Sequence, residues 1–308
     1  MSLDAWILER RPARNAVDPF RPYAFFPEEE RANNGEIVPV STVFLTNREC
    51  PWRCLMCDLW KNTLEETVPL GAIPAQIEYA LERLPAARHI KLYNSGSFFD
   101  PRAIPPADYC AIAATLRSFT HVIVESHPAL IEPGCLRFRE MLSGRLEVAM
   151  GLETVHPEAL PRLNKRMTLE QFSAAAAFLR NNDIDLRVFI LVQPPFVPAQ
   201  EACYWAERSL DFAFNCGAAV ATLIPTRGGN GAMEEIEEFQ TPRISTLESC
   251  LEYGISMRKG RVFADLWELE RFSRCRECYR SRVRRLHHMN LHQTIPERMH
   301  CAACGVAE

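Results

Sequence analysis

The chain has 308 residues, 47% of them apolar, and a formal net charge of −4 at pH 7. That length and apolar content exclude a disordered tail and a disulfide-stapled miniprotein, and they leave room for one large α/β domain with a small appendage. No apolar run approaches the roughly 20 residues that a bilayer-spanning helix needs, and no apolar signal segment opens the chain, so the expectation is a cytoplasmic protein without membrane contact.

Residues 1–36 are rich in Arg, Pro and Glu and lack sustained periodicity, and are read as an N-terminal arm wrapped on the core. From there a short β-branched run, a loop and a helix recur through residues 37–235. The runs are Ser41–Thr46, His89–Asn94, His121–Ser126, Leu146–Glu153, Leu186–Gln193 and Ala219–Thr226. Six to eight residues rich in Val and Ile favour strands. Between them, Ile73, Ile77, Leu81 and Leu84 fall on one helical face, as do Tyr109, Ile112 and Leu116, and Leu169, Phe172, Ala176 and Leu179. Thr168 and Gln171 form a capping-box pattern. Helical crossovers imply parallel strands, so the fold class is α/β, a partial (β/α)6 barrel. Chemistry in such folds sits on the loops after the strands.

The first such loop carries Cys50-Pro-Trp-Arg-Cys54-Leu-Met-Cys57, a C-x3-C-x2-C spacing. Three thiolates on one loop can hold three irons of a cubane cluster and leave the fourth iron open. A structural zinc site would want a fourth protein ligand at matching spacing. Trp52 lies inside the loop, positioned to shield a cluster from solvent. The other strand ends are polar. Ser95-Gly96-Ser97 follows the second strand, and its glycine lets backbone approach a ligand. Glu125 and His127 follow the third strand, and Glu153 closes the fourth. Carboxylates there can accept hydrogen bonds from a ribose, balance a cation, or merely cap helices. His127 offers a proton donor or substrate contact, against the plainer role of a satisfied histidine. Gln193 ends the fifth strand. Arg227, Gly228, Gly229 and Gly231 follow the sixth as a flexible turn or a closing loop with an anion-binding arginine.

The cysteine loop resembles that of the radical S-adenosylmethionine superfamily. The resemblance implies a 4Fe-4S cluster on Cys50, Cys54 and Cys57, with S-adenosylmethionine chelating the open iron through its amino and carboxylate groups. An electron from the cluster would then release a 5′-deoxyadenosyl radical that abstracts hydrogen from substrate. It further implies that Ser95, Gly96, Ser97, Glu125 and Glu153 seat the cofactor, that Gln193 lies where adenine is held, and that Met56 packs on adenine. The usual Gly-Gly-Glu of the second strand is absent, and Met56 replaces the usual aromatic residue. The chain looks similar to the branch of the Elongator catalytic subunit and the methylthiotransferases. Tyr93–Asp100, Val124–Pro128, Gly151–Thr154 and the paired C-terminal cysteines are most similar to the radical subunit of archaeosine synthase. That family is a lyase on a modified 7-deazaguanine of tRNA. His127 stands where its arginine is expected.

Residues 236–308 read as a helical, zinc-ribbon-like region. Cys275-x-x-Cys278 and Cys301-x-x-Cys304 are separated by 22 residues. Four thiolates suit a structural zinc or an auxiliary iron–sulfur cluster, and spacing does not choose. Residues 271–300 hold eight Arg, no Lys and two Glu, a basic block on an acidic body. Arg280, Arg282, Arg284 and Arg285 are read as a clamp for a phosphate backbone. The expected function is therefore a radical enzyme, lyase or transferase, acting on a modified base of tRNA and served by a reductant such as flavodoxin or ferredoxin. A radical enzyme on a small metabolite or peptide, and a non-catalytic zinc-ribbon adaptor binding nucleic acid or protein, are the alternatives.

Overall fold

Alternation of side chains sets the sheet. In the computed structural model, which describes residues 1–131, 133–237 and 239–305, the six expected runs form β2 (Ile37–Phe44), β3 (His89–Tyr93), β4 (His121–Glu125), β5 (Arg145–Glu153), β6 (Asp185–Val192) and β7 (Val220–Pro225). Ile90 and Leu92, Val122 and Val124, Leu146 through Leu152 at every second position, and Leu186, Val188 and Ile190 all face outward into one apolar core. That core is covered by α2 (Ala72–Leu81), α3 (Tyr109–Thr115), α4 (Pro133–Met141), α6 (Leu169–Asn181), α7 (Ala202–Asn215) and α8 (Ile244–Ser256). A single-turn α5 (Ala159–Arg162) precedes α6. Thr168 and Gln171 make the reciprocal capping box at the start of α6.

The strands lie in sequence order in one sheet, and β2 to β8 are parallel. This is the parallel partial barrel expected from the sequence, with the C-terminal cysteines as an appendage. Two strands join the expected six. β1 (Ala24–Arg31) pairs antiparallel with β2, and β8 (Arg261–Ala264) extends the parallel run. Pro27 sits in β1, an edge strand, where a missing N–H costs no ladder bond. Residues 1–36 thus contribute β1 and a short α1 (Leu3–Arg10).

The sheet curls until its edges meet. The Arg261 guanidinium on β8 donates to the Arg31 carbonyl on β1 at 2.8 Å, and Arg31 donates to the Leu291 carbonyl of α9 (Arg276–His292) at 3.3 Å. Inside the barrel floor lies an ionic plug. Arg187 reaches Glu30 at 2.6 Å and Glu147 at 2.5 Å, and Lys91 reaches Glu30 at 2.6 Å. All four are buried. Above them Tyr93 meets Phe189 and Phe44 edge-on, and Trp267 covers Phe26 and Phe44. The plug fills the N-terminal end of the barrel, and the loops with the candidate residues lie at the strand C-termini. Among the described residues no helix is long and apolar enough to cross a membrane.

Candidate metal centre and cofactor pocket at the barrel mouth

The cysteine loop leaves β2 with almost no secondary structure of its own, so other segments must hold it. Glu49 takes ion pairs from Arg11 at 2.7 Å, from Arg53 at 3.1 Å and from Arg14. Asn164 donates to the Arg53 carbonyl at 2.7 Å, and Leu55 N–H donates to the Leu163 carbonyl at 2.9 Å. Asn230 donates to the Leu55 carbonyl at 2.7 Å and to the Cys57 carbonyl at 3.2 Å. Trp60 Nε1 closes the same Cys57 carbonyl at 3.1 Å.

Burial pushes each of the three thiols up to about 12. A thiolate persists there only against a bound cation. Among the described residues, only the four C-terminal cysteines bring their ligand atoms within 4.8 Å of one another. The three loop thiols do not form such a four-ligand group, and three thiols on one loop are the set that a cubane cluster with one open iron would take.

The other candidate residues stand at or just after the C-terminal ends of the strands, except Met56, which lies in the loop itself. Gly96 passes so close to Cys50 that an added Cβ would stand 3.2 Å from the Cys50 Cβ. Ser95 is left-handed at φ 54° and its hydroxyl meets Tyr23 at 3.0 Å. Half-buried Glu125 reaches under the turn and accepts from Asn94 N–H at 2.6 Å and Gly96 N–H at 3.4 Å. Burial raises its carboxyl to about 7 against those hydrogen bonds. The Ser97 hydroxyl accepts from His127 N–H at 2.9 Å, so it ties β3 to β4. Glu153 and Gln193 end their strands at φ 66° and 54°. Left-handed non-glycine residues thus stand at three strand ends of the barrel mouth, a backbone conformation that costs strain. Met56 packs with Ile7, Leu55, Ala232 and Met233. Gln193 donates to the Gln240 carbonyl at 2.8 Å.

His127 is buried beneath Trp52, with ring centroids 3.8 Å apart and planes 13° from parallel. Its Nδ1 accepts from Ala129 N–H at 3.1 Å, which leaves Nε2 as the donor to the Lys165 carbonyl at 3.0 Å. Burial, helped by the Lys165 charge, holds the imidazole at about 4, so it is neutral near pH 7.

Sequence reasoning missed Lys165. Asn164 and Arg166 on either side are left-handed, and this contorted turn drives the lysine inward. Its ammonium meets Glu153 at 2.6 Å, and both side chains are buried. Gly151 makes room for the pair, because an added Cβ would overlap both charged groups. Asn230 was also missed as an anchor. The glycine-rich turn that holds it is fixed to the cysteine loop, and Arg227 is held by Asp265 and the Trp267 carbonyl, each at 2.6 Å.

At the appendage, Cys275 meets Cys301 and Cys278 meets Cys304 with sulfurs 3.8 Å apart. A tetrahedron with metal–sulfur bonds of about 2.3 Å has edges of about 3.8 Å, so the four thiols match a single ion. Arg282 Nε lies 3.4 Å from the Cys278 sulfur and its guanidinium pairs with Glu248. Arg285 pairs with Glu252 at 2.7 Å. Of the four arginines read as a phosphate clamp, these two are buried in ion pairs, while Arg280 and Arg284 face solvent.

The parallel partial barrel and the C-x3-C-x2-C loop after its first parallel strand resemble those of the radical S-adenosylmethionine enzymes. More particularly, the chain is 28% identical over 193 residues to the archaeosine synthase subunit beta of Methanosarcina acetivorans, covering 58% of this chain and 56% of that one. It is 25% identical over 272 residues to an uncharacterized protein of Methanocaldococcus jannaschii, covering 82% and 74%. The chain thus spans little more than half of the archaeosine synthase subunit. No family model matches. Among solved structures, methylornithine synthase is similar at 14% identity and a TM-score of 0.51, over 72% of this chain and 64% of that one. Coproporphyrinogen III oxidase of Escherichia coli, a radical SAM enzyme, aligns at 16% identity and a TM-score of 0.48, over 83% and 56%. At these identities the structural likeness concerns the fold alone.

Proposed function

We propose that the chain is a cytoplasmic radical S-adenosylmethionine enzyme acting on a modified base of tRNA. The observation that carries this is the cysteine loop, three thiols on a segment braced at the C-terminal mouth of a parallel barrel. When bound, the cluster supplies the electron that cleaves S-adenosylmethionine to the radical that abstracts hydrogen. A flavodoxin or ferredoxin is the expected electron source. The protein's own part is to seat the cofactor. Backbone at Ser95 and Gly96, held from below by Glu125, faces its amino group. Glu153 and Gln193 contribute at the neighbouring strand ends, and Met56 packs beside them. Both amide atoms of buried Asn94 lack a partner among the described residues, which a polar ligand beside Ser95 would satisfy. His127 holds Trp52 over the loop. The four C-terminal cysteines hold zinc, as their sulfur spacing favours. The tRNA substrate follows from the similarity to archaeosine synthase subunit beta and from the basic C-terminal block.

The test is anaerobic reconstitution, then reduction with dithionite and S-adenosylmethionine. Release of 5′-deoxyadenosine, lost in Cys54→Ala, is expected. A fully loaded cluster that leaves the cofactor intact would overturn the enzyme reading. Altered nucleosides in digested tRNA are expected from the complete reaction.

A further inference from the structure

Helix α9 sorts its arginines by face. Arg282 and Arg285 turn inward to Glu248 and Glu252 and fix the helix on α8. Arg276, Arg280 and Arg284 recur every fourth residue on the opposite, exposed face. That places their guanidinium groups about 6 Å apart along the helix axis. Arg276 and Arg280 have no hydrogen-bond or ion-pair partner among the described residues, and Arg284 meets only the Ser281 hydroxyl at 3.1 Å. Glu277 is the one carboxylate that α9 exposes beside them. The metal tetrathiolate does not explain this row, since Arg282 on the inner face already donates to it.

The row leads to the barrel mouth. Arg274, two residues before Arg276, lines a cavity of about 290 Å³ with Gln193, Gln240, Thr241, Arg243 and Thr246. A second cleft of about 460 Å³ shares Arg274, Gln240 and Thr241 and runs to Gly228. Arg243 and Arg274 also lack a partner among the described residues. The first cavity has no carboxylate in its lining. In the second, Glu234 is taken by the Gly229 and Gly231 N–H groups. Two free guanidinium groups with amide and hydroxyl side chains between them suit a tetrahedral anion.

We propose that Arg243 and Arg274 hold a phosphate next to the reacting nucleotide, and that Arg276, Arg280 and Arg284 continue the grip along the RNA backbone. This rests on the tRNA reading above and identifies the surface that would serve it. The row is arginine throughout, and a planar fork pairs with phosphate better than with isolated acidic side chains.

The experiment is fluorescence anisotropy of a labelled tRNA transcript against the reconstituted full chain, across a salt series. The variants are Arg243→Gln/Arg274→Gln and Arg276→Gln/Arg280→Gln/Arg284→Gln. Arg117→Gln/Arg137→Gln, exposed in the turn after α3 and on α4, is the control. Both track variants are expected to bind at least tenfold more weakly, with the salt slope reduced by about 0.7–0.9 for each phosphate that is no longer neutralised. Melting curves and zinc content confirm that each variant is folded, and single substitutions replace any that is not. If the wild type binds with steep salt dependence while the track variants behave like the control, the track is wrong and the tRNA reading stands. If the wild type does not bind, or binds without salt dependence, the tRNA reading itself fails and takes this proposal with it.

Discussion

The Trp52 indole lies flat on the His127 imidazole, 3.8 Å between centroids, and so joins the cysteine loop to the end of β4. Both imidazole nitrogens are spent on backbone groups, one at Ala129 and one at Lys165. A ring so engaged, and neutral near pH 7, braces the loop better than it shuttles protons. His127→Ala removes a stacked pair and two hydrogen bonds, an expected loss of about 2 kcal/mol. Iron retained after reconstitution should fall with it. His127→Phe keeps the stack and should recover most of the iron and the cofactor cleavage. Cleavage abolished in His127→Phe with iron retained would instead make His127 a proton donor.

The Lys165 ammonium and Glu153 carboxylate are 2.6 Å apart in a buried pocket beside the cysteines. Removing one partner strands the other charge. Lys165→Met should cost about 3–5 kcal/mol, more than most surface changes. Gly151→Ala should mimic it, because the added methyl overlaps the pair. Melting temperature and iron content read both variants. If Lys165→Met melts like the wild type, the pair is not what holds the turn before α6 to the end of β5.

The two cysteine sets are separate in place, and under the proposed function they take different metals. Reconstituted protein should contain about four irons and one zinc per chain. Cys278→Ser should lose zinc and keep iron, and Cys54→Ser should do the reverse. Cobalt in place of zinc should give the intense visible bands of tetrahedral thiolate coordination in the Cys54→Ser protein. Eight irons and no zinc would instead make the appendage a second cluster.

Much of this was legible from spacing. Six strands follow from β-branched runs, and the Thr168 cap from two residues three apart. What stayed hidden was set by tertiary contact. β1 carries Pro27 and a run of glutamates, so its pattern is not that of a strand, and only pairing with β2 makes it one. β8 is four residues long. Lys165 lies in a loop of ordinary composition and gains its place from two left-handed neighbours. Arg282 and Arg285 look in sequence like Arg280 and Arg284, and the helical period separates them only once the packed face of α9 is known. The x-x between paired cysteines could not show how closely the two pairs approach, whereas the fold brings Cys275 to Cys301 and Cys278 to Cys304 with sulfurs 3.8 Å apart.

The floor plug sets how the barrel answers to acid. Burial alone would raise Glu30, but Arg187 and Lys91 outweigh it and hold the carboxyl at about 2, below its ordinary 4.5. Glu147 is lowered as well, against burial, by Arg187 and His121. A carboxyl depressed on folding stabilises the fold above its ordinary value, and that stability drains away as pH falls toward the depressed one. His89 adds to this, since burial and His121 lower it to about 4 from 6.5. It stays neutral in the fold while the unfolded chain already binds protons. Melting temperature should therefore be flat near neutrality, begin to fall below about 6.5 and fall more steeply below about 4.5. Glu30→Gln leaves Arg187 and Lys91 without their shared carboxylate, at a cost of about 3–5 kcal/mol near pH 7. It should also flatten the acid limb, because the group that titrates there is gone. Wild-type and Glu30→Gln curves that run parallel from neutrality into acid would mean that the plug does not carry the barrel's acid sensitivity.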